Sequence, residues 1–149
     1  MKIAVANDHA GVNLKPALLE YLKERGDEVI DFGTNDTEKV DYPEYSLKVA
    51  LAVKSGEADK GILICGTGIG MSIVANKVPG IRCACCSEVF SAEVTVAHNN
   101  SNIISFGGRV VDEEKMREMV RVFLDTKFIG GRHQVRVDKI TEVEKTFSK

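Results

Sequence analysis

The stretch Ile62-Leu63-Ile64-Cys65-Gly66-Thr67-Gly68-Ile69-Gly70 ends an apolar run on a thiol, sets a hydroxyl two residues on, and alternates three glycines around it. A thiol at the mouth of a buried strand is a potential proton-transfer group. Glycines leading into a helix expose backbone N–H groups at its N-terminus, where an anion is favoured. A helix N-terminus also draws a thiol's pKa down from about 8.5 toward neutrality, which makes a workable general base. The pattern predicts chemistry on an anionic substrate or intermediate. It is not a cysteine-phosphatase loop, because the required arginine position holds Met71. Gly66 to Gly70 reads G-x-G-x-G, without the G-x-G-x-x-G spacing and acidic ribose-binding residue of dinucleotide folds, and the Walker pattern is missing. Two readings stay open for it: a tight turn with helix packing, or a nest of N–H donors for an oxyanion.

Other reactive side chains are few. The three histidines, His9, His98 and His133, fall in loops or at a helix start, where each can be structural or functional. Asp8, beside His9, could simply cap the helix that follows. Arg132 and Arg136 are four apart and share a helix face, and Gly130-Gly131 puts them at a helix start. Arg109 sits in a second glycine turn. Guanidinium groups suit a phosphate clamp, although a solvated face with ordinary ion pairs has the same spacing, as expected for Lys139, Glu142 and Lys145. Of the four cysteines, Cys83, Cys85 and Cys86 crowd one strand-like stretch and are expected to be buried packing residues. Cys85 and Cys86 are adjacent, so their side chains point to opposite faces of a strand, which argues against zinc, and the spacing is not that of a disulfide-stapled secreted domain.

The elements that must position these groups alternate. Strands are predicted over Lys2 to Ala6, Glu28 to Phe32, Lys60 to Ile64, Ile81 to Cys85 and Asn102 to Phe106. Helices are predicted over Leu14 to Lys23, with Gly26 as its stop, from Pro43 to about Lys54, over Met71 to Asn76, Glu88 to Ala97, Asp112 to Leu124, and His133 to Phe147. Continuous apolar strands between helices predict a parallel sheet covered on both faces, with ligands beyond the carboxyl ends of the strands. Asn7-Asp8-His9, Cys65-Gly66-Thr67 and Gly107-Gly108-Arg109 fall there, and His98-Asn99 lies on the loop leading into the fifth strand. The terminal helix follows flexible Gly130-Gly131 and is free to reach away from the main body.

The bulk numbers bound the answer. A chain of 149 residues fits one domain, 1–149, with a sizeable core. A formal net charge of -2 from 20 basic and 22 acidic side chains gives no support for nucleic acid or a membrane surface as partner. No apolar stretch is long enough to span a bilayer. The start of the chain lacks the plan of a signal peptide, and the expected location is cytoplasmic.

At these residues the chain resembles type B ribose-5-phosphate isomerase, of the family that also contains galactose-6-phosphate isomerase subunits. The resemblance runs along essentially the whole chain: Asn7-Asp8-His9, Asp41-Tyr42-Pro43, Gly61 through Ser72, Ala75-Asn76-Lys77, Gly80-Ile81-Arg82, His98-Asn99, Phe106 through Val111, and Gly130-Gly131-Arg132-His133. It implies a Rossmann-like three-layer α/β/α sandwich with a five-stranded parallel sheet. It also implies a homodimer with shared active sites and the C-terminal helix reaching the partner, standing alone or paired as a dimer of dimers. It implies metal-free, cofactor-free interconversion of ribose 5-phosphate and ribulose 5-phosphate, a step of the non-oxidative pentose phosphate pathway. Cys65 takes the role of the base between C1 and C2, and Thr67 assists proton movement on the substrate oxygens. The amides of Gly66, Thr67, Gly68, Ile69 and Gly70 hold the enediolate. His98 opens the furanose ring, with Asp8 close to the ring hydroxyls. Asn99 binds the sugar or intermediate, and Tyr42 also lines the substrate. His9, Arg132 and Arg136 hold the phosphate, with Arg109 alongside. That chemistry agrees with the residues: a proton shift between adjacent carbons needs one base, a stabilised enediolate and a phosphate handle.

The chain departs from its relatives in two places. Ser87 to Ala97 has no arginine, and the stretch after His98 reads Asn99-Asn100-Ser101-Asn102, within which many relatives carry Asp then Ala. A branch of the family uses a glutamate on the following helix as base; here that region holds Val74-Ala75, which favours the cysteine branch. A six-carbon sugar phosphate, allose or galactose 6-phosphate, is the alternative substrate. A non-catalytic sugar-phosphate sensor would have no need of both Cys65 and His98. A thiol redox protein would want a resolving cysteine near Cys65, and the neighbouring sequence has none.

Overall fold

The computed structural model describes residues 1–148. Five parallel strands, β1 (Lys2–Asn7), β2 (Glu28–Asp31), β3 (Lys60–Cys65), β4 (Cys83–Cys85) and β5 (Ile103–Gly107), form one sheet in the order β2-β1-β3-β5-β4. Six helices surround it: α1 (Lys15–Arg25), α2 (Tyr42–Ser55), α3 (Ile69–Ala75), α4 (Val89–Asn99), α5 (Glu113–Asp125) and α6 (Arg132–Phe147). The chain therefore has the Rossmann-like three-layer α/β/α architecture.

Alternation along the strands splits the core in two. Ile3, Val5, Ile62, Ile64, Ile104 and Phe106 pack on one face with α1, α4 and α5. Ala4, Ala6, Leu63, Cys65 and Ile103 pack on the other with α2 and α3. The central strands β1, β3 and β5 are buried on both faces, which is why they read as unbroken apolar runs. Because Cys65 is odd-numbered like Leu63, its thiol lies on the α3 face, the face to which the glycine loop returns.

Several boundaries differ from expectation. β4 begins at Cys83 because the Asn102 side chain accepts from the Arg82 N–H at 2.9 Å and occupies the place of a ladder bond. α3 begins at Ile69, two residues early, with Gly68 as its N-cap. α4 runs on through His98 and Asn99, so these residues form its last turn and not the loop before β5. α6 does not leave the body along its whole length: Val137 and His133 are buried, it packs on α4, and both oxygens of Glu144 accept from the Gly80 N–H at 3.0 Å. Its other faces leave Val135, Ile140, Val143 and Phe147 exposed.

Candidate active site

Cys65 ends β3, buried at 5% exposure, and its Sγ accepts from the Gly68 N–H at 3.1 Å. The turn that makes this contact depends on Gly68. Its φ is +84, and a Cβ there would lie 2.7 Å from the Phe106 Cα, so both the left-handed backbone and the close approach to β5 exclude a side chain. Thr67 is exposed at the crest, with its Oγ1 accepting from the Ile69 N–H at 3.2 Å. Two loop N–H groups thus point at the thiol and the hydroxyl at the mouth of the sheet.

Neighbouring strand ends bring other side chains to the same mouth. The Asp8 amide bonds the Ile64 carbonyl at 3.1 Å, which ties the end of β1 to β3. Asp8 is buried, and its Oδ1 caps the 3-10 turn His9–Gly11 by accepting from Ala10 N–H at 2.9 Å. The bland capping role thus holds for one of its oxygens. His9 Nδ1 accepts from the Val40 N–H at 3.2 Å, which puts the proton of the neutral ring on Nε2 as a donor. The Tyr42 ring crosses Gly70, whose Cβ would stand 2.7 Å from Cζ. Arg109 lies over Gly66: its N–H donates to the Gly66 carbonyl at 3.2 Å, and its Nη1 is 3.3 Å from where a Gly66 Cβ would be. Asp8, His9, Tyr42, Cys65, Gly66 to Gly70 and Arg109 therefore form one cluster.

His98, Asn99, Arg132 and Arg136 form another. Cys65 is in register with Gly107 at the end of β5, whereas α4 runs back against the strands and hands over to the start of β5, where Ile103 is in register with Gly61. Along β5 that interval is roughly 13 Å. At this far end the His98 and His133 rings stack with centroids 4.2 Å apart. Burial, and then the positive neighbours His98, Arg132 and Arg136, hold the pKa of His133 below its ordinary value. Arg82 pins the end of α4, its Nε donating to the Asn99 carbonyl at 3.0 Å and its Nη2 to the Asn100 carbonyl at 2.9 Å. Within one chain the thiol and His98 do not meet.

The other cysteines are only partly packing residues. Cys86 is buried, and burial pushes its thiol up to about 11. Cys83 is half-buried and Cys85 is exposed, which corrects the expectation for both. Cys85 sits on the edge strand, where no further strand covers it, and lines a cleft with Thr67, Ile69 and Val110. It is in register with Ser105 of β5, which is in turn in register with Leu63 of β3, two residues before Cys65. That lateral gap is roughly 10 Å, beyond the reach of a disulfide without backbone movement. Among the described residues no three His, Cys, Asp or Glu side chains converge as a metal site, and no helix is long and apolar enough to cross a membrane.

Sequence reasoning placed Asn7 at the end of the first strand and missed three further residues that shape the loops, Lys15, Ser46 and Ser105. Asn7 Nδ2 donates to the Asp8 and Thr34 carbonyls at 3.0 and 2.9 Å. Lys15, on the inner face of α1, pairs with Asp31 at 2.8 Å and donates to the Asn35 Oδ1 at 2.8 Å. Ser46 and Ser105 donate to the Met71 and Gly68 carbonyls, each at 2.6 Å. A lone polar residue inside an apolar strand or on an inner helix face is the signal that could have found Ser105 and Lys15.

Known proteins share this sequence and fold. Residues 3–140 match the family model described as Ribose/Galactose Isomerase. Ribose-5-phosphate isomerase B of Escherichia coli is 52% identical over 143 residues, covering 96% of each chain. The structure of Clostridium thermocellum ribose-5-phosphate isomerase B superposes with a TM-score of 0.97 at 54% identity, over 99% of this chain and 100% of that one. The ribose-5-phosphate isomerase B of Mycoplasma genitalium, solved with bound ribulose-5-phosphate, gives 0.92 at 40% identity over 97% and 96%. Matched by the family model over residues 3–140 and 52% identical to a relative along 96% of its length, this chain belongs to the Ribose/Galactose Isomerase family.

Proposed function

We propose that this chain, one isomerase domain throughout, interconverts ribose 5-phosphate and ribulose 5-phosphate through an enediolate. The observation that carries the reading is the Gly68 N–H held on the Cys65 Sγ, beside the Ile69 N–H and Thr67 hydroxyl, in a member of this family. In the open-chain aldose, Cys65 as thiolate takes the C2 proton and the electron pair of that bond becomes the C1–C2 double bond of the enediolate. The same thiol returns the proton to C1, while Thr67 carries the hydroxyl proton between the two oxygens. The Gly66 to Gly70 amides stabilise the negative oxygen only once it has formed, which lowers the barrier rather than merely binding substrate.

A homodimer with shared sites is part of the same reading. His98, Asn99, Arg132 and Arg136 lie at the opposite end of the sheet from Cys65, so a second chain is the source that brings them to it. There His98 opens the furanose ring with Asp8 near its hydroxyls. Asn99 and Tyr42 bind the sugar, and Arg132 and Arg136 join His9 and Arg109 on the phosphate. Exposed Ile69 and Ile73 on α3, and Val143 and Phe147 on α6, supply apolar surface for such an interface. Free thiols at all four cysteines fit a reducing, cytoplasmic setting.

The test is to incubate purified protein with ribose 5-phosphate and a chelator and to follow ribulose 5-phosphate. Steady turnover is expected, with loss of at least about a hundredfold in Cys65→Ala, the usual scale for removing a general base. No turnover of the pentose, with turnover of allose or galactose 6-phosphate, overturns the substrate. Undiminished turnover in Cys65→Ala removes the thiol as base.

A further inference from the structure

Beneath the glycine loop, two side chains on the neighbouring strands grip its carbonyls. Ser105, fully buried in the middle of the otherwise apolar β5, donates from Oγ to the Gly68 carbonyl at 2.6 Å. Cys85, its partner across the β4–β5 pair, donates from Sγ to the Thr67 carbonyl at 3.6 Å. In a trans peptide the carbonyl and the N–H of one unit point in opposite directions. The unit whose carbonyl Cys85 holds carries the Gly68 N–H, which points at the Cys65 Sγ at 3.1 Å. The unit whose carbonyl Ser105 holds carries the Ile69 N–H, which points at the Thr67 Oγ1 at 3.2 Å.

We propose that Ser105 and Cys85 are positioning residues for the reaction, each fixing one peptide of the loop so that its N–H faces the thiol and the enediolate. A buried hydroxyl in a central strand is costly unless it is hydrogen-bonded, and here its bond goes to the loop rather than to the sheet. A donor on a carbonyl also polarises the peptide and makes its N–H a stronger donor. Burial, and then the Cys65 thiol, push the Cys85 pKa up against the lowering effect of a Ser72 hydrogen bond, which leaves the S–H proton in place to donate to the Thr67 carbonyl. Neither side chain touches substrate; both act through the amides.

The inference rests on the isomerase reading, and its test separates the two. The variants are Cys85→Ala, Cys85→Ser and Ser105→Ala, measured with ribose 5-phosphate beside the unmutated protein. Both alanine variants should lose kcat on the order of tenfold, less than the hundredfold or more typical of deleting an oxyanion donor outright, with KM nearly unmoved. Cys85→Ser, which restores a donor, should recover most of it. A phosphorylated hydroxamate mimicking the enediolate should weaken in parallel, while inhibition by inorganic phosphate stays within about twofold. Without any substrate, iodoacetamide should alkylate Cys65 more slowly in Cys85→Ala, as mapped by peptide mass. An active parent protein whose alanine variants keep kcat, hydroxamate affinity and alkylation rate overturns the positioning role alone. A parent that turns over no sugar phosphate overturns the isomerase reading and this role with it. If Ser105→Ala does not fold, Cys85→Ala, altered at an exposed position, decides the question.

Discussion

His98 and His133 stack ring on ring, with centroids 4.2 Å apart and planes 6° from parallel. One comes from the last turn of α4 and the other from the first turn of α6, so the stack fastens the terminal helix where Arg132 and Arg136 begin it. His133 is buried and surrounded by positive groups, and its pKa is lowered. Its folded-state value lies below the unfolded one, near 6.5, so unfolding takes up a proton in the interval just beneath about pH 6.5. Its contribution to stability is therefore present above about pH 6.5, falls as pH drops through that interval, and levels off below the folded-state pKa. Thermal melts of the protein and of His133→Asn, from about pH 5 to 7.5, should show a shallower pH dependence in the variant. Equal slopes would remove His133 from the account.

Because Cys65 and His98 sit at opposite ends of one sheet, a site that needs both must draw them from two chains. Cys65→Ala and His98→Asn should each be nearly inactive alone. Mixed by co-refolding, they should regain about a quarter of the unmutated activity, since half of the dimers pair unlike chains and each of those rebuilds one intact site of two. Failure to regain activity, with mixed dimers demonstrated by mass, would sink the shared site.

The phosphate clamp predicts a split in kinetic constants. Arg136→Ala should raise KM for the phosphorylated sugar on the order of tenfold to a hundredfold, the scale of one charge-assisted hydrogen bond, with a smaller change in kcat. Arg132→Ala should behave alike. An unmoved KM would place the phosphate elsewhere.

Gly68 and Gly26 offer a matched comparison. Both have φ of +84, but a Cβ at Gly68 would meet the Phe106 backbone at 2.7 Å, whereas nothing lies within 4 Å at Gly26. Gly26→Ala should cost about 1–2 kcal/mol of backbone strain and leave kcat alone. Gly68→Ala should cost more, because the backbone of β5 cannot step aside, and should lower kcat by more than tenfold as the Gly68 and Ile69 amides turn away. Denaturant melts and kcat measured together check both halves. Equal losses of stability in the two variants would refute the close-packing argument.

Much of the site was legible before the fold was known. Cys65, Thr67 and the glycines are neighbours in the chain, so a strand end followed by a helix start leaves them only one arrangement. Gly26 stops α1 as its position predicts, and Asp112 and Glu88, expected as the first residues of α5 and α4, stand one place outside as their caps. Cys85 was misread because a cysteine in an apolar stretch looks buried until β4 is known to be an edge strand. The end of α4 was misread because Arg82, distant in sequence, binds the carbonyls that let it continue to Asn99.

The amino-acid sequence by itself determined the alternation of strands and helices, the family, and the local constellation around Cys65, since each rests on residues within a few positions of one another. The tertiary structure decided which strands are neighbours. By inserting β5 between β3 and β4 it brought Ser105 and Cys85 beneath the glycine loop, and by running α4 back against the sheet it carried His98 to the far end. Strand order is settled by packing of side chains distant along the chain, and local periodicity, which reports only which face of an element is buried, holds no record of it.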